Sequence, residues 1–183
     1  MTALTTLEAD RAAALDAMER AGRVDDDFLT RFDAQFPRLH DLFARLYGGR
    51  GDGQEQLAML AAEASSAWNA RPLELKVRDE QRLADPEWFA SERALGGVCY
   101  VDRFAGNLAG IRDQIPYFRE LGLSYLHLMP LFDAPEGDND GGYAVMDYRA
   151  VREDLGTMDD LRALTARLRA RGISLEVDLV LNH

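Results

Sequence analysis

The sequence predicts an α/β protein in two regions, an all-helical stretch over residues 1–95 and a parallel sheet with crossover helices over 96–183. Three observations predict this. Apolar residues recur at helical spacing through the first region. Short apolar runs alternate with amphipathic stretches through the second, in the order strand, helix, strand, helix, strand. Glycine and proline mark the joints between them.

In the first region Leu4, Leu7, Ala14, Leu15 and Met18 share one helical face, and Gly22 follows as a stop. Asp25, Asp26 and Asp27 put negative charge where a second helix begins, which suits its dipole. That helix carries Phe28, Phe32, Phe36, Leu39, Phe43 and Leu46, and Pro37 is expected to end or kink it. Residues 48–53 form a glycine-rich break. Leu57, Leu60, Ala61, Ala64 and Trp68 give a third face, Pro72 opens a further segment, and Asp85-Pro86-Glu87-Trp88-Phe89 reads as another helix start. The aromatic stripe reads as the core of a bundle, the triple aspartate as a solvated helix start, and His40 as a surface or capping residue.

In the second region Val98-Cys99-Tyr100-Val101 reads as a buried strand, and a glycine-bearing loop follows it. Leu108 to Leu121 has helical spacing and ends at Gly122. Residues 125–129 are a second apolar run, Met158 to Arg169 an amphipathic helix, and residues 173–181 a third strand. That strand is rich in Leu and Val and ends in Asn182-His183. Such a strand belongs in a sheet covered on both faces. A closed parallel barrel needs eight strand–helix units. The expectation is therefore a part of a longer chain.

Composition narrows the function. Of 183 residues, 47% are hydrophobic, which excludes disorder over most of the length. The formal charge of -11 repels phosphate backbones and argues against nucleic acid. A single cysteine, Cys99, excludes an intrachain disulfide. No apolar run is long enough to span a bilayer, and the N-terminus lacks the pattern of a secretory signal, so no membrane association and a cytoplasmic location are expected.

Parallel sheets bind ligands at the C-terminal ends of their strands. Three segments qualify: 102–107, the loop from Pro130 to about Arg149, and Asn182-His183. The middle one is far longer than a usual strand-to-helix connection. Its Gly141-Gly142 pair allows backbone angles closed to other residues. Asp140 and Tyr143 bracket that pair. An aspartate can bond two sugar hydroxyls, and a tyrosine face can stack on a pyranose. The run Asp138-Asn139-Asp140-Gly141 looks like part of a calcium loop but lacks the closing Glu. His183, directly after a strand, can donate to a sugar hydroxyl or to developing charge.

These residues resemble a known family. Val177-Asp178-Leu179-Val180-Leu181-Asn182-His183 resembles the first conserved region of the alpha-amylase superfamily, at the end of the third strand of a (β/α)8 TIM barrel. Gly142-Tyr143, Asp147-Tyr148, Leu155-Gly156-Thr157 and Asp160-Leu161 match the path from strand two to strand three. The runs 97–106 and 125–132, with Pro135-Glu136-Gly137 and residues 140–143, are similar to the amylosucrases, as is an acidic helical domain before the barrel. The resemblance implies transfer of glucose from sucrose to an α-1,4-glucan by retaining double displacement, with release of fructose. It implies no organic cofactor and no metal. The partners it implies are sucrose and an α-glucan acceptor, and the helical region could support a homodimer.

The resemblance also assigns roles. Asp140 bonds the glucosyl ring at the blind end of the pocket, Tyr143 is the platform under that ring, and His183 contacts the glucosyl hydroxymethyl group and stabilises the transition state. Asn182 supports the site, and Asp178 holds strand ends together. The nucleophile and acid/base of the family come from strands four and five, which these 183 residues do not supply. A sucrose hydrolase of the same architecture, a starch hydrolase and a non-catalytic fragment are the alternatives.

Overall fold

The computed structural model describes residues 4–180. Two compact units divide the chain, Met1–Ala84 and Asp85–His183. The sequence places the change of grammar near residue 95; the first strand begins at Gly96, and the second unit also takes in residues 85–95.

The first unit contains α1 (Leu7–Ala21), α2 (Asp26–Tyr47), α3 (Gly53–Ala70) and α4 (Leu73–Ala84). Thr6 caps α1 by accepting from the Ala9 N–H. Asp25 caps α2, accepting from the N–H groups of Asp27 and Phe28 and from the Trp68 indole at 3.0 Å. Ala14, Met18, Phe32, Phe36, Leu57 and Ala61 form the core, so the aromatic stripe is packing. The Phe32 and Phe36 rings lie 4.8 Å apart.

Two expectations are corrected in this unit. Of the two effects expected of Pro37, it does not end α2, which continues to Tyr47 with the proline inside it. An internal proline costs a helix roughly 3 kcal/mol. Phe32 and Phe36 before it and Leu39 and Phe43 after it all pack into one core. Fully burying one such side chain is worth roughly 1.5–3 kcal/mol, so both halves of the helix are held. Nor is His40 a simple surface residue. Its Nε2 lies 2.9 Å from Oδ2 of Asp10, a carboxylate only 1% exposed. Asp10 also accepts from the Thr5 N–H and hydroxyl and from the Gln54 amide. A buried charge survives only with such a full set of donors.

The second unit opens with a single 3₁₀ turn, Trp88–Ala90, where the sequence suggests a longer helix. Three parallel strands follow in the order β1 (Gly96–Tyr100), β2 (Tyr125–Met129) and β5 (Ser174–Val177). In β2 the side chains alternate. Leu126 and Leu128 are buried toward the helices, among Leu108, Ile111, Leu164, Leu168 and Ile173. Tyr125, His127 and Met129 lie on the opposite face. The parallel register places Val98 and Tyr100 of β1 and Glu176 of β5 on that same face. In a closed (β/α)8 barrel this face lines the interior. The expected burial of Val98 and Tyr100 is therefore not seen: they are 60% and 42% exposed. Of that run, Val101 alone is fully buried, and it begins the short helix α5 (Val101–Ala105) inside the expected loop.

The helix expected over Leu108 to Leu121 is two, α6 (Leu108–Asp113) and α7 (Ile115–Glu120), broken at Gln114. Pro116 sits in the first turn of α7; it lacks an N–H to continue the ladder from α6, and its fixed φ suits the start of a new helix. The last helix, α8 (Met158–Arg169), carries a reciprocal cap: Thr157 accepts from the Asp160 N–H, and the Asp160 carboxylate accepts from the Thr157 N–H.

The long loop is not wholly irregular. It contains β3 (Phe132–Asp133) and β4 (Asp147–Val151), paired antiparallel across a bulge. Residues 134–146 form the tip of this excursion. The architecture is thus a helical unit followed by the first parallel strands of a TIM barrel, incomplete over this length.

Candidate functional site

The excursion tip hangs beside the C-terminal ends of the strands, and three features shape it. Asn139 organises the turn: its side-chain oxygen accepts from the Gly142 N–H at 2.9 Å, and its amide donates to the Pro135 carbonyl at 2.8 Å. Asp140, Gly141 and Gly142 all have left-handed backbone, with φ of 53°, 67° and 95°. Glycine is required at 142, because a Cβ there would stand 2.6 Å from Cγ of the buried Pro130. Aspartate is among the few other residues that tolerate the left-handed region.

This turn delivers Asp140 and Tyr143 to different surroundings. Asp140 is exposed, and its carboxylate makes no hydrogen bond or ion pair among the described residues. Tyr143 is half-buried, and its hydroxyl donates to Oδ2 of Asp178 at 3.0 Å. Burial, the bond to Asp178 and the charge of that carboxylate push the Tyr143 phenol up to about 12. It is therefore a neutral donor at any ordinary pH.

Asp178, the residue just past β5, is the hub. Its second oxygen, Oδ1, lies 3.0 Å from Nε2 of His127, which comes from the middle of β2. A carboxylate only accepts, so Nε2 carries the proton. Tyr148 of β4 tethers the same segment. Its hydroxyl donates to the Val180 carbonyl at 2.5 Å and accepts from the Val180 N–H at 2.7 Å. Leu128, Pro130, Phe132, Gly142, Tyr143 and Asp178 line a small hollow here. One face of the site is thus an aromatic ring with a fixed hydroxyl, and beside it stands an aspartate free to accept. That combination can stack on a pyranose and bond its hydroxyls.

Of the residues singled out from sequence, the structure brings Tyr143 and Asp178 together and sets Asp140 three residues from Tyr143 on the same turn. Asn182 and His183 lie outside the described residues. Sequence reasoning missed His127, Asn139 and Tyr148. The period-two alternation of β2 gives a signal for His127, since it sets that residue opposite the buried leucines. No three His, Cys, Asp or Glu side chains among the described residues converge as a metal cluster. Cys99 is half-buried, and burial pushes its thiol up, away from reactivity.

A carboxylate and a phenol thus meet at the C-terminal ends of the parallel strands, where (β/α)8 scaffolds carry their ligand sites. The alpha-amylase catalytic domain matches residues 49–183. The chain belongs to the alpha-amylase family. It is 40% identical over 78 residues to an oligo-1,6-glucosidase of Halalkalibacterium halodurans, covering 43% of this chain and 14% of that one. It is 36% identical over 107 residues to the trehalose synthase/amylase TreS of Mycobacterium tuberculosis, covering 55% of this chain and 17% of that one. Among solved structures, the trehalulose synthase MutB from Pseudomonas mesoacidophila is 33% identical, with a TM-score of 0.44 over 50% of this chain and 17% of that one. The chain therefore spans about a sixth of the length of these relatives. No helix among the described residues is long and apolar enough to cross a membrane.

Proposed function

We propose that this chain supplies the glucosyl-binding end of an amylosucrase-type transferase, one that moves glucose from sucrose to an α-1,4-glucan acceptor. The observation that carries the reading is the turn 139–143, which sets Asp140 beside a Tyr143 ring anchored on Asp178. The amylosucrase-like runs 97–106, 125–132 and 135–143 support the choice of sucrose. In the reaction a carboxylate oxygen attacks C1 of the glucosyl unit, and the bond from C1 to the fructosyl oxygen breaks. A second carboxyl group gives that oxygen its proton. It then takes a proton from the acceptor hydroxyl, whose oxygen bonds to C1 as the bond from C1 to the first carboxylate breaks and frees that group. Those two carboxylates belong to strands four and five of the barrel. Asp140 and Tyr143 hold the ring, and the resemblance assigns its hydroxymethyl group to His183.

The likeness to the oligo-1,6-glucosidase favours a second reading, hydrolysis of an α-glucosidic bond with water as acceptor. Product analysis separates the two. The complete barrel enzyme is incubated with sucrose, and its products are resolved by chromatography. Fructose together with a growing α-glucan is expected. Equal glucose and fructose without glucan would establish hydrolysis, and unreacted sucrose would refute both sucrose readings.

A further inference from the structure

We infer that His127 is a positioning residue, acting through the Asp178 carboxylate to fix the Tyr143 ring on which the glucosyl unit rests. The inference depends on the glucosyl-site reading above. Asp178 receives one donor on each oxygen, His127 Nε2 on Oδ1 and Tyr143 hydroxyl on Oδ2, both at 3.0 Å. The torsion that turns a carboxylate about its own axis is soft and broad. A single donor would leave that plane free to swing; two donors on opposite oxygens lock it.

Order runs from the strand to the loop. His127 sits in β2, which is bonded to β1 on one side and β5 on the other. It is among the most firmly placed backbone of the unit. Tyr143 follows three left-handed residues at the tip of an excursion. The Tyr148 hydroxyl pins the backbone at Val180, so Asp178 is held from the chain side as well. Glu176 is the register partner of His127 on the same face, yet the imidazole turns to Asp178. Tyr100 is the other titratable group that Tyr143 senses.

The test is a double-mutant cycle in the complete enzyme, read as kcat/KM on sucrose, or on whichever α-glucoside product analysis identifies. His127→Phe removes the donor and should lower kcat/KM about tenfold, the usual effect of one lost hydrogen bond to a charged group. His127→Gln, which keeps an N–H of similar reach, should recover most of it. In a Tyr143→Phe background, His127→Phe should cost less than about twofold more, because the bond through which it acts is already gone. Losses that multiply in the double variant, or that Gln does not rescue, would overturn the inference in favour of a general role in stability. Tyr143→Ala judges the glucosyl site separately. If it is crippling while His127→Phe is silent, the positioning role fails alone. If it is silent, both fail.

Discussion

Replacing Gly142 by alanine strikes the turn that presents the site, and its cost can be worked from the structure. With φ at 95°, a Cβ is strained before it meets anything. Left-handed backbone costs a non-glycine residue roughly 1–2 kcal/mol. That Cβ would also lie 2.6 Å from Cγ and 3.0 Å from Cβ of Pro130. Pro130 is buried and its ring is rigid, so the overlap cannot be relieved by a rotamer change. Overpacking of this kind costs roughly 1–3 kcal/mol. Together about 2–5 kcal/mol act against the conformation that seats Tyr143 on Asp178. Since 1.4 kcal/mol is a tenfold change, the turn should rearrange and kcat/KM should fall by at least about tenfold. Gly137→Ala is the control. Its φ is 84°, but a Cβ there meets no atom within 4 Å, so it carries strain without overlap and lies away from Tyr143. Initial rates over a range of sucrose concentrations, with thermal midpoints alongside, make the comparison. Unchanged kcat/KM in Gly142→Ala, or equal loss in the two variants, would refute the reasoning.

Two predictions concern stability. Burial pushes the Asp10 carboxyl up, but the bonds from His40, Thr5 and Gln54 outweigh it and hold the group below the usual carboxylate range. A carboxylate with a depressed folded value adds stability that is present above its unfolded pKa, roughly 4, and lost as pH falls through the folded value. The helical unit should therefore lose resistance to urea as pH drops below about 4. Asp10→Asn should be weaker at pH 7 and show less of this dependence; an unchanged acid profile would contradict the assignment. At the start of α8, Thr157→Ala breaks the reciprocal cap with Asp160. It should lower stability by about 0.5–2 kcal/mol without altering KM, and a variant that unfolds at the wild-type urea midpoint would argue against the cap.

The parts of the fold that were legible in the sequence are those where local pattern and tertiary packing agree. The faces of α1, α2, α3 and α8 and the strand β2 fall where periodicity and punctuation place them, whereas β1 ends at Tyr100 and β5 ends at Val177, short of the expected reach to 181. The errors arise where the two compete. Pro37 is a helix breaker by propensity, but packing on both sides of it outweighs the local cost. Pro116 acts within a stretch whose apolar spacing is still helical, so the break at Gln114 was hidden by the periodicity. The two-residue β3 is too short to show any period at all. At the site, the Gly141-Gly142 pair marked the turn and hence Asp140 and Tyr143. The support behind Tyr143, the Asp178 carboxylate and the His127 that bonds it, was another matter. His127 and Asp178 lie 51 residues apart in the chain and meet only because β2 and β5 are adjacent. Strand order is a tertiary fact, which one sequence does not print.

Asp140 and Tyr143 are proposed to hold the glucosyl ring of the substrate. The most direct test is kcat/KM for sucrose in the complete enzyme carrying Asp140→Ala or Tyr143→Ala, with Glu136→Ala, on the exposed part of the same loop, as control. A loss of at least about a hundredfold is expected in each of the first two, since contacts to the reacting ring are removed, and wild-type behaviour in the third. Near-normal turnover in both Asp140→Ala and Tyr143→Ala would contradict it.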